Sequence, residues 1–303
     1  MTIQSLEGKN LKHIHFIVNP IAGSGNHAIT RKFLNKFFDK DTYEITIKNS
    51  DYKKHAKTLT KTSIEEGADV IVACGGDGTI NEVATCLVNT NIALGIIPLG
   101  SGNGLASNLK IPKRIEHAID LIKSTTIKKI DVGRINEHYF FSNTGIGIDA
   151  QVIMHYENSN KRKLLSYIKS SLKALKGLNY RNKITVEING KTIQTYPFLV
   201  FISNTNEMGY NISLTPMASL QDGLLDVLIV SKMSRLRSLY FGLMILLKKH
   251  HLIKEAQSYQ AKELKIRQAD QHIYESQIDG EFFNIESDAI EISLLEKSLH
   301  VIA

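Results

Sequence analysis

Apolar positions follow two rhythms along the chain, and the change between them falls near residue 130. Before it, short runs of consecutive apolar residues alternate with stretches in which apolar positions recur every three or four residues. HIHFIVN (13–19), YEITIKN (43–49), DVIVAC (69–74) and ALGIIP (93–98) read as strands. Residues 27–38, with Ile29, Phe33 and Phe37 on one face, read as a helix. So do 51–66, opened by Asp51 as a cap, and 79–89. Strands apolar on both faces and alternating with helices predict a parallel sheet covered on both sides, an α/β domain. After Lys129 the strand-like pieces are 129–135, 139–148, 184–190, 196–203, 224–231, 263–269, 272–286 and 289–295, parted by Gly, Asn and Asp turns. Helical stretches interrupt them at 161–178 and 234–251. This half predicts a mostly antiparallel β domain, and the polar stretch KSTTIKK (123–129) puts the boundary at 125–131.

Composition narrows the class. Hydrophobic residues at 43% and charged residues at 22% of 303 are ordinary globular values, which excludes disorder and fibrous repeats. The longest apolar run, Leu239 to Leu247, is nine residues and contains Gly242, well short of the roughly 18 that a membrane span needs. The polar start MTIQSLEGKNLKH (1–12 read as a leader) predicts no cleaved signal. Cys74 and Cys86 sit in apolar segments and read as buried thiols of a reducing cytosol. His13, His15, His250 and His251 show no metal spacing and read as surface positions. A net charge of +7 points to anionic partners. The absence of Trp and only 7% aromatics argue against stacking on nucleic acid.

Twenty glycines are an average number, but eight of them fall in three short stretches, NPIAGSG (19–25), GGDGT (75–79) and PLGSGNG (98–104). Each follows a strand of the expected parallel sheet, so all three belong to one sheet edge, where ligands of such folds bind. Glycine lets backbone N–H groups come close to phosphate oxygens, and helix N-termini add partial positive charge. Tight turns alone do not call for Asp77, Thr79, Ser101 and Asn103. No Walker-type P-loop is present. Gly23-Ser-Gly25-Asn-His-Ala28 satisfies a loose dinucleotide pattern with Glu44 or Asp51 as the acidic partner, but it leaves two of the loops unexplained.

GGDGTINEV (75–83), preceded by the 19–25 loop and followed by PLGSGNGLA (98–106), resembles the diacylglycerol kinase catalytic family, which includes bacterial lipid kinases, sphingosine kinases and ceramide kinases. The resemblance runs over essentially the whole chain and includes FSNTGIGIDA (141–150) and Asp-Gly-Glu at 279–281. GGDGT is also shared with NAD kinases and is similar to phosphofructokinase loops. The third loop departs from the bacterial Thr-x-Asn-Asp pattern and looks more like the sphingosine kinase version. The resemblance implies an NAD kinase-like α/β domain at 13–128. It also implies a mostly antiparallel β-sandwich at 129–303, with the extreme C-terminus free to return to the first domain and the loops lining a cleft between domains.

The same resemblance implies ATP contacts at Asn19, Pro20, Ile21, Ala22, Gly23, Ser50, Gly76, Asp77, Gly78, Thr79, Ile80, Asn81, Glu82 and Ser101. It implies Mg²⁺ held by Asp222 with the carbonyls of Ser219 and Leu224, and Asp131 reaching the metal through water. Read from the residues alone, Asp222-Gly223 is equally a hairpin turn, Ser50 a cap, Asp131 a strand start and 279–281 a plain turn. Two places compete for the catalytic base, Asp77 and the pair Asp279/Glu281. The expected division is Asp77 organising Mg²⁺–ATP and the 279–281 turn accepting the proton.

Between Asn158 and Val186 there are eight Lys/Arg and no Asp or Glu. On a helix over 161–178, Leu164, Leu165, Ile168, Leu172 and Leu175 share one face. Arg162, Lys163, Lys169, Lys173 and Lys176 take the other. Such a helix suits an anionic membrane surface or, in the plainer reading, packs on its own domain. The helix over 234–251 reads as core or the wall of a lipid cleft. The expectation is thus a cytoplasmic, peripherally membrane-associated, ATP- and Mg²⁺-dependent lipid kinase, with no nucleic-acid partner and homodimerisation left open. The rivals are an NAD kinase-like phosphotransferase with a soluble acceptor and a Rossmann-type oxidoreductase.

Overall fold

The computed structural model describes residues 11–23, 25, 29–100, 102–159, 164–177, 180, 182–206, 213–268 and 272–303. These divide into two compact units, one holding the chain up to Lys129 together with Ser298–Ala303, the other Ile130–Lys297.

The first unit contains β1 (Lys12–Val18), α1 (Arg31–Leu34), β2 (Tyr43–Asn49), α2 (His55–Glu65), β3 (Val70–Gly75), α3 (Asp77–Leu87), β4 (Ala93–Pro98), α4 (Gly104–Asn108) and α5 (Ile115–Ser124). The strands lie in the order β2-β1-β3-β4, all parallel. Every residue of β3 and β4 is buried, as runs apolar on both faces require. The C-terminal segment adds alongside β4, with Val301 parallel to Leu94.

Three local expectations need correction. The helix expected over 27–38 is a single turn, capped by Thr30, whose Oγ1 accepts from Phe33 N at 3.2 Å. Leu34 and Phe38 enter the core, while Phe33 and Phe37 lie against each other at 5.2 Å outside it. Both pairs have helical spacing, and the sheet took the set one residue further on; residues 26–28 lie outside the described residues. Helix α2 opens at Lys54 (φ 71) without a side-chain cap, and Lys54 N donates to Glu82 Oε1 at 2.9 Å. Asp51 sits before it, its N–H donating to His55 Nδ1 at 3.1 Å. His15 is not on the surface: it is buried beside Glu66, 3.5 Å away, and burial lowers its pKa. Helices α4 and α5 were not expected.

The second unit begins within β5 (Ile127–Ile135) and continues through β6 (His138–Phe140), β7 (Asn143–Gly147), α6 (Ile148–Glu157), α7 (Leu164–Gly177), β8 (Ile184–Ile188), β9 (Lys191–Thr195), β10 (Pro197–Ser203) and β11 (Leu225–Ser231). It is completed by α8 (Arg235–Leu246), β12 (Ala256–Ala261), β13 (Glu263–Gln268), β14 (Ile273–Ile278), β15 (Glu281–Glu286) and β16 (Ile290–Ile302), whose last residues belong to the first unit. One sheet runs β16-β13-β8-β9 and the other β12-β11-β10-β7-β14-β15, with antiparallel pairing throughout both. Val186, Ile266 and Ile290 from the first meet Val200, Val227 and Tyr274 from the second in a β-sandwich core. The outer face of the six-stranded sheet is covered by α6, α7 and α8, through Val152, Ala174, Phe241 and Met244 on Phe201 and Leu228.

Here α6 replaces the end of the expected strand 139–148. Gly147 turns the chain at φ 91, and a Cβ there would lie 2.6 Å from Phe198 O. Helix α8 stops at Leu246, and His250 is buried, its Nε2 2.9 Å from Leu214 O. Among the described residues no helix is long and apolar enough to cross a membrane.

Candidate active site

Because β1, β3 and β4 are parallel neighbours, the segments leaving their C-terminal ends emerge side by side. Backbone bonds stitch them together: Asn19 N donates to Cys74 O (2.9 Å), Leu99 N to Gly75 O (2.8 Å), and Ser50 N to Val18 O (2.8 Å). Asn19 Oδ1 accepts from Ile21 N at 3.1 Å and its Nδ2 donates to Thr79 Oγ1 at 3.2 Å, tying the first loop to the second. Asp77 ties the second to the third. Its Oδ2 accepts from Asn103 N at 2.8 Å and its Oδ1 from Gly104 N at 2.6 Å. Asn103, buried and left-handed at φ 55, folds its amide back onto Gly100, accepting from Gly100 N at 3.1 Å and donating to Gly100 O at 2.6 Å. The three glycine stretches therefore form one backbone-lined surface with α3 and α4 starting from it, which suits an anionic polyphosphate.

Of the expected nucleotide contacts, Asn19, Pro20, Ile21, Ala22, Gly23, Ser50, Gly76, Asp77 and Gly78 lie on this edge, and Ile21 is 83% exposed. Thr79 is buried behind it with its hydroxyl on Asn19, and Ile80 is wholly in the core, its N–H donating to Gly76 O at 3.0 Å. Asn81 and Glu82 follow in the first turns of α3, with Glu82 occupied by Lys54 N–H. Ser101 lies outside the described residues.

Two glycines separate close packing from ligand approach. Gly23 has φ +62, and a Cβ there would sit 2.3 Å from Leu99 O; at Gly76 the nearest atom would be Gly100 Cα at 3.4 Å, an ordinary contact. Gly23→Ala is expected to lower the melting temperature and abolish measurable ATP binding. Gly76→Ala should melt like wild type yet bind ATP at least tenfold more weakly, because its methyl would stand against Gly100, between the second and third loops. Calorimetric titration and thermal melts check both.

In the second unit, buried Asp131 accepts from Gly223 N (2.9 Å) on one oxygen and Lys297 N (2.7 Å) on the other. Its own N–H donates to Leu220 O at 2.7 Å, so it shapes the 219–224 loop. Within that loop Asp222 is exposed and accepts from Leu224 N at 3.1 Å, while Ser219 Oγ accepts from Gln221 N at 3.3 Å. Gly223 at φ +74 gives the turn its hand. An exposed carboxylate at such a turn is a hard oxygen of the kind a cation keeping most of its waters takes. Among the described residues no cluster of three or more Asp, Glu, His or Cys could replace it.

The Asp-Gly-Glu turn joins β14 to β15. Asp279, at φ 49, turns its carboxylate onto three backbone N–H groups, those of Phe141 (2.9 Å), Ser142 (2.7 Å) and Asn143 (3.1 Å). Glu281, the first residue of β15, is exposed. The turn is braced from α6: Gln277 Nε2 donates to Asp149 Oδ2 and to Asn143 Oδ1, each at 2.8 Å, Gly280 N donates to Gln277 Oε1 at 2.8 Å, and Phe282 N donates to Glu157 Oε1 at 3.2 Å.

Burial pushes the Asp149 carboxyl from its ordinary 3.8 up to about 6, against the pull of the Gln277 hydrogen bond. A carboxyl whose pKa is raised on folding binds more protons folded than unfolded, so stability falls as pH rises through that interval. Asp149→Asn is therefore expected to stabilise the protein by up to about 3 kcal/mol above pH 6, with the gain fading as pH falls from 6 to 4. Denaturant titrations at pH 4, 6 and 8 measure it; a pH-independent difference would contradict it.

Asn143, Asp149 and Gln277 were not singled out from the sequence. Asn143 and Asp149 lie inside the quoted stretch 141–150 and could have been weighed, whereas Gln277 carries no local signal.

Two family models match this chain: the diacylglycerol kinase catalytic domain over residues 13–135, and the YegS C-terminal NAD kinase beta sandwich-like domain over residues 142–302. The chain belongs to the diacylglycerol kinase catalytic family. It is 30% identical over 230 residues to the diacylglycerol kinase of Bacillus subtilis (strain 168), covering 73% of this chain and 75% of that protein. A diacylglycerol kinase of Staphylococcus aureus (strain JH9) is 31% identical over 232 residues, 73% and 71% of the two chains. The fold matches a solved structure of a diacylglycerol kinase from Bacillus anthracis str. Sterne with a TM-score of 0.69 at 20% identity over 97% of each chain. Another solved structure from the same organism reaches 0.76 at 23% identity. The family's two-part architecture agrees with both the parallel α/β sheet and the antiparallel sandwich. It does not favour a Rossmann oxidoreductase.

Proposed function

We propose that this protein is an ATP- and Mg²⁺-dependent lipid kinase that transfers the γ-phosphate of ATP to the hydroxyl of a diacylglycerol or sphingoid lipid. The observation that carries the reading is the Asp77 clamp, which makes one phosphate-sized surface of two loops that separate βα turns would not need to join. Membership of the diacylglycerol kinase catalytic family and relatives named diacylglycerol kinase support the lipid acceptor over NAD.

In this reading, the loop at Asn19–Gly23, the backbone N–H groups at Gly76–Gly78 and Ser101 hold the triphosphate. Asp222 and the carbonyls of Ser219 and Leu224 would hold Mg²⁺, which neutralises phosphate charge when bound. The lipid oxygen bonds to the γ-phosphorus, the bond from phosphorus to the bridging oxygen breaks, ADP leaves, and the hydroxyl proton passes to Glu281. Asp279, with its oxygens on three N–H groups, positions the turn and is the poorer base. Asp77 acts through loop geometry. Cytoplasmic, reversible attachment to anionic lipid by Lys169, Lys173 and Lys176, all exposed on α7, fits this substrate. Arg162 and Lys163 lie outside the described residues.

The test offers γ-labelled ATP and Mg²⁺ with diacylglycerol, sphingosine, ceramide or NAD. Label in a lipid product is expected; label in NAD alone, or in none, would overturn the reading.

A further inference from the structure

Helix α8 is apolar on both its inner and its outer side. Ser238, Phe241 and Met244 face the sheet, and the opposite side shows Leu236, Leu239, Tyr240, Leu243, Leu246 and Leu247 at helical spacing. These six are 45–81% exposed, with Leu236 the most open. A helix packed on one side ordinarily carries polar residues on the other. On α7, which covers the same sheet face, Leu165, Ile168 and Leu172 are 46–72% exposed. This corrects the sequence expectation: α7 buries Ser170 and Ala174 with Leu175 packed beside them, and Leu165, Ile168 and Leu172 turn outward together with Lys169, Lys173 and Lys176. Because both helices pack on one sheet face, their outward sides point the same way. Arg235 Nη2 joins them, donating to Lys176 O at 3.3 Å.

The charges around this apolar stripe have one sign. From Val227 to Lys254 there are six Lys/Arg and no Asp or Glu, and α7 has no acid either. Arg237 is neutralised by Glu255 at 3.1 Å, while Lys232, Arg235, Lys248 and Lys249 are exposed. A second copy brought face to face would set these lysines against their own counterparts. An anionic bilayer offers what both features need, acyl chains for the leucines and phosphates for the lysine heads, which reach the headgroup level on long stems. Twelve residues, about 18 Å of helix, are too short to span and suited to lying flat.

We propose that the outward face of α8, with the exposed apolar positions of α7, inserts into the headgroup–acyl boundary of anionic membranes, so that attachment is apolar as well as electrostatic. The claim goes beyond phosphoryl transfer and is read without turnover, so either can fail alone.

The chain has no Trp, which makes Tyr240→Trp a single reporter. With phosphatidylglycerol/phosphatidylcholine vesicles its emission should shift to the blue and be quenched by lipids brominated at shallow acyl carbons. Leu239→Gln/Leu243→Gln, both at exposed positions and with fold checked by circular dichroism, should lower vesicle partitioning about tenfold or more and remove the part that survives high salt. Co-sedimentation with water-like emission from the introduced indole would mean adsorption by charge alone and overturn the proposal. So would absence of vesicle binding, or a blue shift that grows with protein concentration without lipid, which would mark a second copy as the occupant.

Discussion

Asp77→Asn is expected to weaken ATP binding about a hundredfold and to lower turnover with it. Each carboxylate oxygen receives one backbone N–H, from Asn103 and Gly104, and both donors start the turn into α4. Asparagine keeps one acceptor and presents an NH₂ group where the other was, so a donor faces a donor. A charge-assisted hydrogen bond is worth about 1.5–3 kcal/mol, and losing one while opposing another donor reaches about 3 kcal/mol. The third loop should then leave the second. The effect belongs to the ATP dissociation constant, measured by titration calorimetry, and an affinity equal to wild type would show that the loops hold the nucleotide without the clamp.

The second large effect separates the two acids of the Asp-Gly-Glu turn. Glu281→Gln should lose about a hundredfold or more in kcat while ATP affinity and melting temperature stay at wild-type values. Glutamine keeps the shape of an exposed side chain and removes its basicity. Asp279→Asn should act through stability instead. Asparagine tolerates the left-handed φ of 49, but it cannot accept from three N–H groups, and the bend at 141–143 loses part of its anchor. A lowered melting temperature with a partial loss of kcat is the expected pattern. Full turnover in Glu281→Gln would return proton transfer to Asp77 or to solvent.

How much of this was legible in the sequence depends on how local each signal is. The parallel sheet was readable because β3 and β4 are apolar at every position, and the three glycine stretches because their punctuation sits directly behind strands. The clamp joining them was not. Asp77 bonds to residues 26 and 27 positions later, and only the packing of β3 beside β4 brings those together. The Gln277 bridge from the turn to α6 spans 128 residues and is equally silent in any window. Helix faces failed for a related reason. On α7 and α1 more than one stripe satisfied the helical period, and tertiary packing chose a different one from the one with most leucines or phenylalanines. His15 and His250 were misplaced because a histidine's local pattern does not reveal whether a sheet or helix will close over it.

The central claim is that the three glycine loops act as one ATP site. Amide hydrogen exchange of the intact protein with and without Mg²⁺–ATP tests it most directly. Slowed exchange is expected together at residues 19–23, 76–82 and 100–104, with the same set unprotected by NAD. Protection confined to a single loop, or found only elsewhere in the chain, would contradict the shared cradle.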